Sequence, residues 1–245
     1  MPGNYVLKAP CLWTQDVQQQ TFKESCKEIA REYTVYQRLG THPRLLRLLA
    51  YEPRRGISLE YMPLGSLRDY LDNATVYTLS LRQRLQWGCD LAEAAHHLHT
   101  HNIFHADLNP CNFVIDSAMR LRIIDFAGST IDGQPGLAMV NARYCIPHFI
   151  DQGCSVKSEV FALGSILYEL MTVAELYPDQ TDQDIEKAFV NNDFPDLTDV
   201  PCRDIIENCW HGKYECAEDL RLEVHERLRV ETAQSARLFP WEWST

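Results

Sequence analysis

His105-Ala106-Asp107-Leu108-Asn109-Pro110-Cys111-Asn112, followed thirteen residues after Asn112 by Asp125-Phe126-Ala127, decides the reading of this chain. It sets a carboxylate at 107, an amide five residues on, and a second carboxylate directly after the apolar run Leu121-Arg122-Ile123-Ile124. That spacing has a chemical use. Asp107 is placed to orient a hydroxyl and take its proton, while Asn112 and Asp125 offer hard oxygen atoms of the kind Mg²⁺ prefers. Each residue alone has a plainer role, such as Asp125 capping the next turn. The triple, in this order and between these flanking strands, is harder to obtain by chance.

Working outward, Phe113-Val114-Ile115 and Leu121 to Ile124 read as two short strands around the turn Asp116-Ser117-Ala118-Met119. Upstream, Leu81, Leu85, Cys89, Ala92, Ala95 and His99 mark an amphipathic helix. Before it, Pro63-Leu64-Gly65-Ser66 breaks the pattern and marks a boundary between two lobes. Leu45 to Tyr51 and Ile57 to Tyr61 flank the turn Glu52 to Gly56 and predict a hairpin. Phe22, Cys26, Ile29, Tyr33, Tyr36 and Leu39 predict a helix over 22–39, stopped by Gly40-Thr41-His42-Pro43. Tyr5-Val6-Leu7 predicts a strand. Downstream, Val160 to Met171 is apolar nearly all round, which predicts a helix buried inside the domain. Further helices are expected near 181–191, 202–209 and 217–229, and the aromatic tail Leu238 to Trp243 is expected to dock on the body.

This chain resembles the eukaryotic protein kinase family, whose catalytic loop and D-F-G segment carry the opening pattern. Ile57-Ser58-Leu59-Glu60-Tyr61-Met62-Pro63-Leu64-Gly65-Ser66-Leu67 resembles the family's hinge, and Val160 to Leu170 its central buried helix. Val6-Leu7-Lys8 resembles the strand with the phosphate-binding lysine, and Glu32 the helix glutamate that pairs with it. The wording Asp-Phe-Ala-Gly and Cys-Trp-His-Gly-Lys-Tyr is similar to a divergent fungal group. The resemblance implies an α+β, two-lobed fold with a shortened small-lobe sheet and a helical large lobe. It divides one domain over 1–245 into a small lobe at 1–60, a hinge at 61–65, a large lobe at 66–232 and a tail at 233–245. It implies transfer of the ATP γ-phosphate to Ser or Thr hydroxyls of proteins. Lys8 and Glu32 would then orient phosphates, Asp107 would accept the hydroxyl proton, and Asn112 and Asp125 would hold Mg²⁺. Leu59, Glu60 and Met62 would line the adenine edge.

Departures from the pattern matter equally. Only seven residues precede Lys8, so the glycine-rich turn over the nucleotide is not in this sequence; a short gene model, a natural truncation and a remnant all fit. Ala106 replaces the arginine before the catalytic aspartate, and Asn109 replaces the lysine two residues after it. Ala127 stands for the glycine of D-F-G, and Ile146-Pro147-His148 stands where A-P-E is expected. These losses favour a second reading, a pseudokinase that binds partners without catalysis. A small-molecule phosphotransferase of the same fold is the third, and the hinge and buried helix fit it less well.

Composition excludes other classes. Forty-five per cent hydrophobic residues describe a core-forming chain, and a net charge of -11 opposes a nucleic-acid binder. No apolar run reaches membrane-spanning length, and no secretory leader is visible, so the chain reads as intracellular and cytoplasmic, with protein substrates and an open oligomeric state. Its nine cysteines are scattered; Cys202, Cys209 and Cys216 fall seven apart, as on one helix face. Five histidines between 96 and 105 invite a metal reading, but nothing completes a ligand set, and His105 has a structural place in the family pattern.

Overall fold

A computed structural model describes residues 5–11, 19–134, 141–147 and 153–238. The small lobe is a three-stranded antiparallel sheet in the order β1-β3-β2, with β1 at Tyr5–Lys8, β2 at Leu48–Glu52 and β3 at Gly56–Glu60. Helix α1 (Gln19–Leu39) packs with it. Ile29, Tyr36 and Leu39 are buried on the stripe foreseen from spacing, and Glu32 is wholly buried on that same stripe. The predicted hairpin forms, with its turn at Pro53 to Arg55 and Gly56 at φ +113°. Gly56 is required there: a Cβ would lie 2.0 Å from the Lys8 carbonyl oxygen, because β1 runs directly against it.

The large lobe is helical: α2 (Leu67–Asp72), α3 (Leu81–Thr100), α4 (Val156–Thr172), α5 (Asp182–Val190), α6 (Arg203–Trp210) and α7 (Ala217–Leu238). Three short strand pieces follow α3: β4 (Ile103–Phe104), β5 (Phe113–Ile115) and β6 (Leu121–Ile123); β7 (Thr130–Ile131) returns to pair with β4. Serine caps set the starts of helices: Ser66 and Asp69 close a reciprocal capping box on α2, and Ser155 does the same on α4 with Ser158. Val160, Leu163, Leu167 and Leu170 are at most 3 % exposed, so α4 is the buried axis of this lobe. Gly164 lets α6 approach it, since a Cβ there would sit 2.4 Å from that of Cys209.

Two expectations change in detail. Helix α7 continues to Leu238, past Arg229 and past the expected 232/233 boundary. The three cysteines spaced by seven do not share a helix: Cys202 precedes α6 in a left-handed conformation, Cys209 lies within α6, and a turn containing Gly212 separates Cys216. Helix geometry cannot carry a seven-residue period across that turn. The tail from Phe239 to Trp243 lies outside the described residues.

The histidines form a stack where the loop after α1 meets α3. His42 lies on His97 with ring centres 4.0 Å apart, and His101 is 4.6 Å from His97. His97 Nε2 faces the Leu39 carbonyl at 3.1 Å, and Glu93 is 3.8 Å from His42. Burial, joined by Arg44, His101 and His96, holds His42 below the usual imidazole range. Burial and His42 do the same to His97 against the favourable Leu39 bond. The folded chain therefore resists protons that the unfolded chain takes up near pH 6.5. Stability from these groups is present above that pH and is lost as pH falls through the lower folded values. The melting temperature is expected to drop between pH 7.5 and 5.5. His97→Phe, which keeps a ring against His42, should flatten that slope; a slope unchanged in the variant refutes the assignment.

Candidate active site

The loop carrying Asp107 is held in a conformation that needs support. Ala106 has φ +70°, a left-handed backbone costing a residue with a Cβ on the order of 1 kcal/mol. Its N–H donates to Glu159 Oε1 at 2.9 Å, from the first turn of buried α4, while Glu159 Oε2 meets His99 Nε2 at 2.7 Å. His105 fixes the next step: Nε2 donates to the Ile124 carbonyl at 2.8 Å, and Nδ1 accepts from the Asp107 N–H at 3.3 Å. The Asp107 carboxylate then accepts from two amides, Asn112 Nδ2 at 3.0 Å to Oδ2 and Asn109 Nδ2 at 3.0 Å to Oδ1. Burial raises the Asp107 pKa, opposed by His105 and both amides. Asn109, met in the sequence as a missing lysine, here orients the aspartate.

Lys8 reaches down from β1 between two acids. Its Nζ lies 2.7 Å from Glu32 Oε2 and 2.6 Å from Asp125 Oδ1. Asp125 has φ +65°, and Phe126 behind it is fully buried. The Phe126 ring meets Tyr36 of α1 edge-on at 5.1 Å and His105 at 5.4 Å, so one stack ties α1, the Asp125 turn and the loop that carries Asp107. Burial opposes charge on Asp125, but Lys8 outweighs it and holds the carboxyl below the usual range. For Glu32 burial wins over Lys8, and its pKa is raised. Lys8 is itself raised: burial works against its charge, and the two carboxylates overcome it.

Beside this triangle opens a cleft with about 820 Å³ of open space. Val6, Leu46, Val114 and Ile124 give it apolar walls; Leu59, Glu60 and Met62 form its rear edge, with Lys8, Glu32 and Asp125 at the polar end. The Met62 carbonyl accepts from Gly65 N–H at 3.3 Å, and the Glu60 N–H donates to the Arg47 carbonyl at 3.0 Å, so part of the connecting backbone is engaged in its own turn and strand. Six of the eight residues singled out in the sequence line this cleft. Asp107 and Asn112 stand beside it, bonded to each other, and the Ile124 N–H donates to the Asn112 carbonyl at 3.0 Å.

Some partners of these residues escaped the sequence reading. Glu159 is one. Glu169 is another: fully buried in α4, it takes an ion pair from Arg68, a 2.8 Å bond from the Tyr144 hydroxyl and the Leu176 N–H at 3.1 Å. The available signal was a carboxylate inside an otherwise apolar helix, which must find partners. Where the A-P-E glutamate is missing, Arg143 ties its segment down through the Leu176 carbonyl at 2.8 Å and Glu175 at 3.5 Å. Among the described residues no group of His, Cys, Asp and Glu side chains is placed to hold a metal by itself, and no helix is long and apolar enough to cross a membrane.

Residues 13–230 match the protein kinase domain family, and the chain belongs to it. It is 30% identical over 183 residues to serine/threonine/tyrosine-protein kinase HT1 of Arabidopsis thaliana, covering 69% of this chain and 46% of that protein. It is 27% identical over 209 residues to serine/threonine-protein kinase CTR1 of Arabidopsis thaliana, covering 79% of this chain and 25% of that protein. The chain thus spans less than half the length of these relatives. Lys8 lies ahead of the matched residues, so its place rests on the contacts above.

Seating Lys8 depends on Gly56. Gly56→Ala meets a left-handed φ and the 2.0 Å approach to the Lys8 carbonyl together. Chemical unfolding should show a loss of about 1–3 kcal/mol. Equal stability in the variant would mean that β1 is not seated as described.

Proposed function

We propose that this chain transfers the γ-phosphoryl group of ATP to Ser or Thr hydroxyls of protein substrates. The observation that carries the reading is Lys8 held between Glu32 and Asp125, with Asp107 and Asn112 bonded to one another beside it. Adenine fits the apolar end of the cleft against Leu59, Glu60 and Met62, and Lys8, steadied by Glu32, meets the phosphates. Asp107 orients the substrate hydroxyl and takes its proton as the new O–P bond forms and ADP leaves. The donor set fits Mg²⁺. Asn112 uses its amide nitrogen on Asp107, leaving its oxygen to offer, and Lys8 and the Ala127 N–H both bond Asp125 through Oδ1. When bound there, Mg²⁺ neutralises phosphate charge.

The Ser/Thr preference draws on Pro110 after Asn109 and on the relatives' names. Cytoplasmic placement and the exclusion of nucleic acid draw on free cysteines and the net charge of -11. We divide the domain at the end of β3 (Glu60) and at the α2 cap (Ser66), and move the tail to the end of α7 at Leu238. One observation favours a pseudokinase instead: both Asp107 oxygens already accept amides, from Asn109 and Asn112. Each oxygen has a second lone pair, so a hydroxyl can still be received.

The test is twofold. Millimolar ATP with excess Mg²⁺ should raise the melting temperature, and EDTA or Asp125→Ala should abolish the rise. Labelled ATP with a generic protein substrate should give phosphoprotein with the wild type and at least a hundredfold less with Asp107→Asn. A nucleotide-dependent rise without transfer would establish the pseudokinase reading. A rise that survives EDTA would place the site elsewhere.

A further inference from the structure

Outside the cleft, a second set of contacts joins α1 to the segment that follows Asp125. Arg31 and Arg38 are seven residues apart, hence on one stripe of α1. Arg38 grips Asp132 with two prongs, Nη1 to Oδ2 and Nη2 to Oδ1, each at 2.6 Å. Arg31 Nη1 donates to the Ser129 carbonyl at 2.8 Å. The gripped segment is anchored on its other side: β7 pairs with β4, and the Asp132 N–H donates to the Asn102 carbonyl at 3.0 Å.

We propose that Arg38 and Asp132, seconded by Arg31 on the Ser129 carbonyl, form a permanent latch that holds α1 over the cleft without phosphorylation, Asp132 supplying the anion from within the chain. The consequence for activity rests on the phosphotransferase reading above; the geometry does not. Three observations point this way. Between Asp125 and Pro147 the only Ser or Thr residues are Ser129 and Thr130, which are 0% and 6% exposed, so the folded segment offers no accessible Ser or Thr for a phosphate. Ala106 has no side chain with which to receive one beside Asp107. Glu32, which must stay on Lys8, is the neighbour of Arg31 on the same helix, so drawing α1 onto the segment holds Glu32 at its post. Arg38 also keeps the Asp132 carboxyl below the usual carboxylate range, so the latch stays charged at neutral pH. Arg38 and Asp132 are positioning residues, acting through Glu32.

An exposed ion pair shifts an equilibrium by roughly twofold to fivefold, and two-pronged geometry belongs at the upper end. The experiment compares the full chain with Arg38→Asp, Asp132→Arg and the double exchange. Both side chains lie at the surface, 33% and 56% exposed, which makes the variants tolerable to the fold. Hydrogen exchange of the α1 amides from Glu32 to Leu39 and the kcat for phosphoryl transfer are read in parallel. Each single reversal should speed exchange and lower kcat about threefold to fivefold. The exchanged pair should restore both, which a loss of mere surface packing would not do. Unchanged α1 exchange in the single variants, or a double variant no better than the singles, overturns the latch. If the wild type transfers no phosphate, that result alone overturns the phosphotransferase reading, and the exchange arm still decides the latch.

Discussion

The Lys8 ammonium, set between Glu32 and Asp125, joins three segments far apart in the chain: β1, α1 and the turn after β6. Glu32 is fully buried, so without its cation it would be a lone charge away from water, a state that costs several kcal/mol in real proteins. Without the two acids Lys8, a third exposed, would likewise lose both of its ion pairs. The three groups therefore hold one another in place, and the position of α1 relative to the Asp125 turn follows from that mutual need. The result is a cleft whose polar end holds one ammonium with a carboxylate on either side to fix it.

The large lobe uses the same logic in reverse. Helix α4 is apolar enough to be buried on every side, yet it carries Glu159 and Glu169 inward. Each is fully matched to partners: Glu159 to the Ala106 N–H and His99, Glu169 to Arg68, Tyr144 and the Leu176 N–H. A rigid apolar axis thus reaches out through two charged side chains and fixes a strained loop at one end and the α2 region at the other. Hydrogen bonds to an ionised acceptor are about twice as strong as neutral ones, which is what a left-handed Ala106 requires.

Much of this was legible in the sequence because two periodicities were strong. The stripe Ile29, Tyr36, Leu39 and the nearly all-apolar Val160 to Met171 gave their helices directly, and the short strands followed from turn residues around them. The Asp107, Asn112 and Asp125 set stood out by its spacing and by the family resemblance that the spacing carries, and the fold brings the three beside one cleft. What spacing could not give was the second rank of partners. Glu159 and Asn109 act on Ala106 and Asp107 through contacts that no local period records, and the grip of Arg38 on Asp132 spans 94 positions. The seven-residue cysteine series misled for the converse reason: a regular interval means a shared face only where one helix runs unbroken, and Gly212 ends α6 before the third member.

The seam between the lobes shows what fastens the small lobe to the large one. Strands of four and five residues with Tyr5 and Leu7 half-exposed bury too little to stand alone. The loop after α1 is instead stitched into the large lobe: the Ile123 N–H donates to the Arg44 carbonyl at 2.8 Å, and the Leu46 N–H to the Ile123 carbonyl at 3.2 Å. Beneath it Asp90, fully buried in α3, takes Arg44 at 3.0 Å and Arg120 at 2.5 Å. Removing either arginine would leave Asp90 with less compensation in a dry setting, so both segments are held to α3 by the same desolvated charge. The end of α1 is thus fixed by Arg44 and the histidine stack, and its middle by Lys8, Tyr36 and Arg38. A helix fastened at both places keeps Glu32 where β1 presents Lys8.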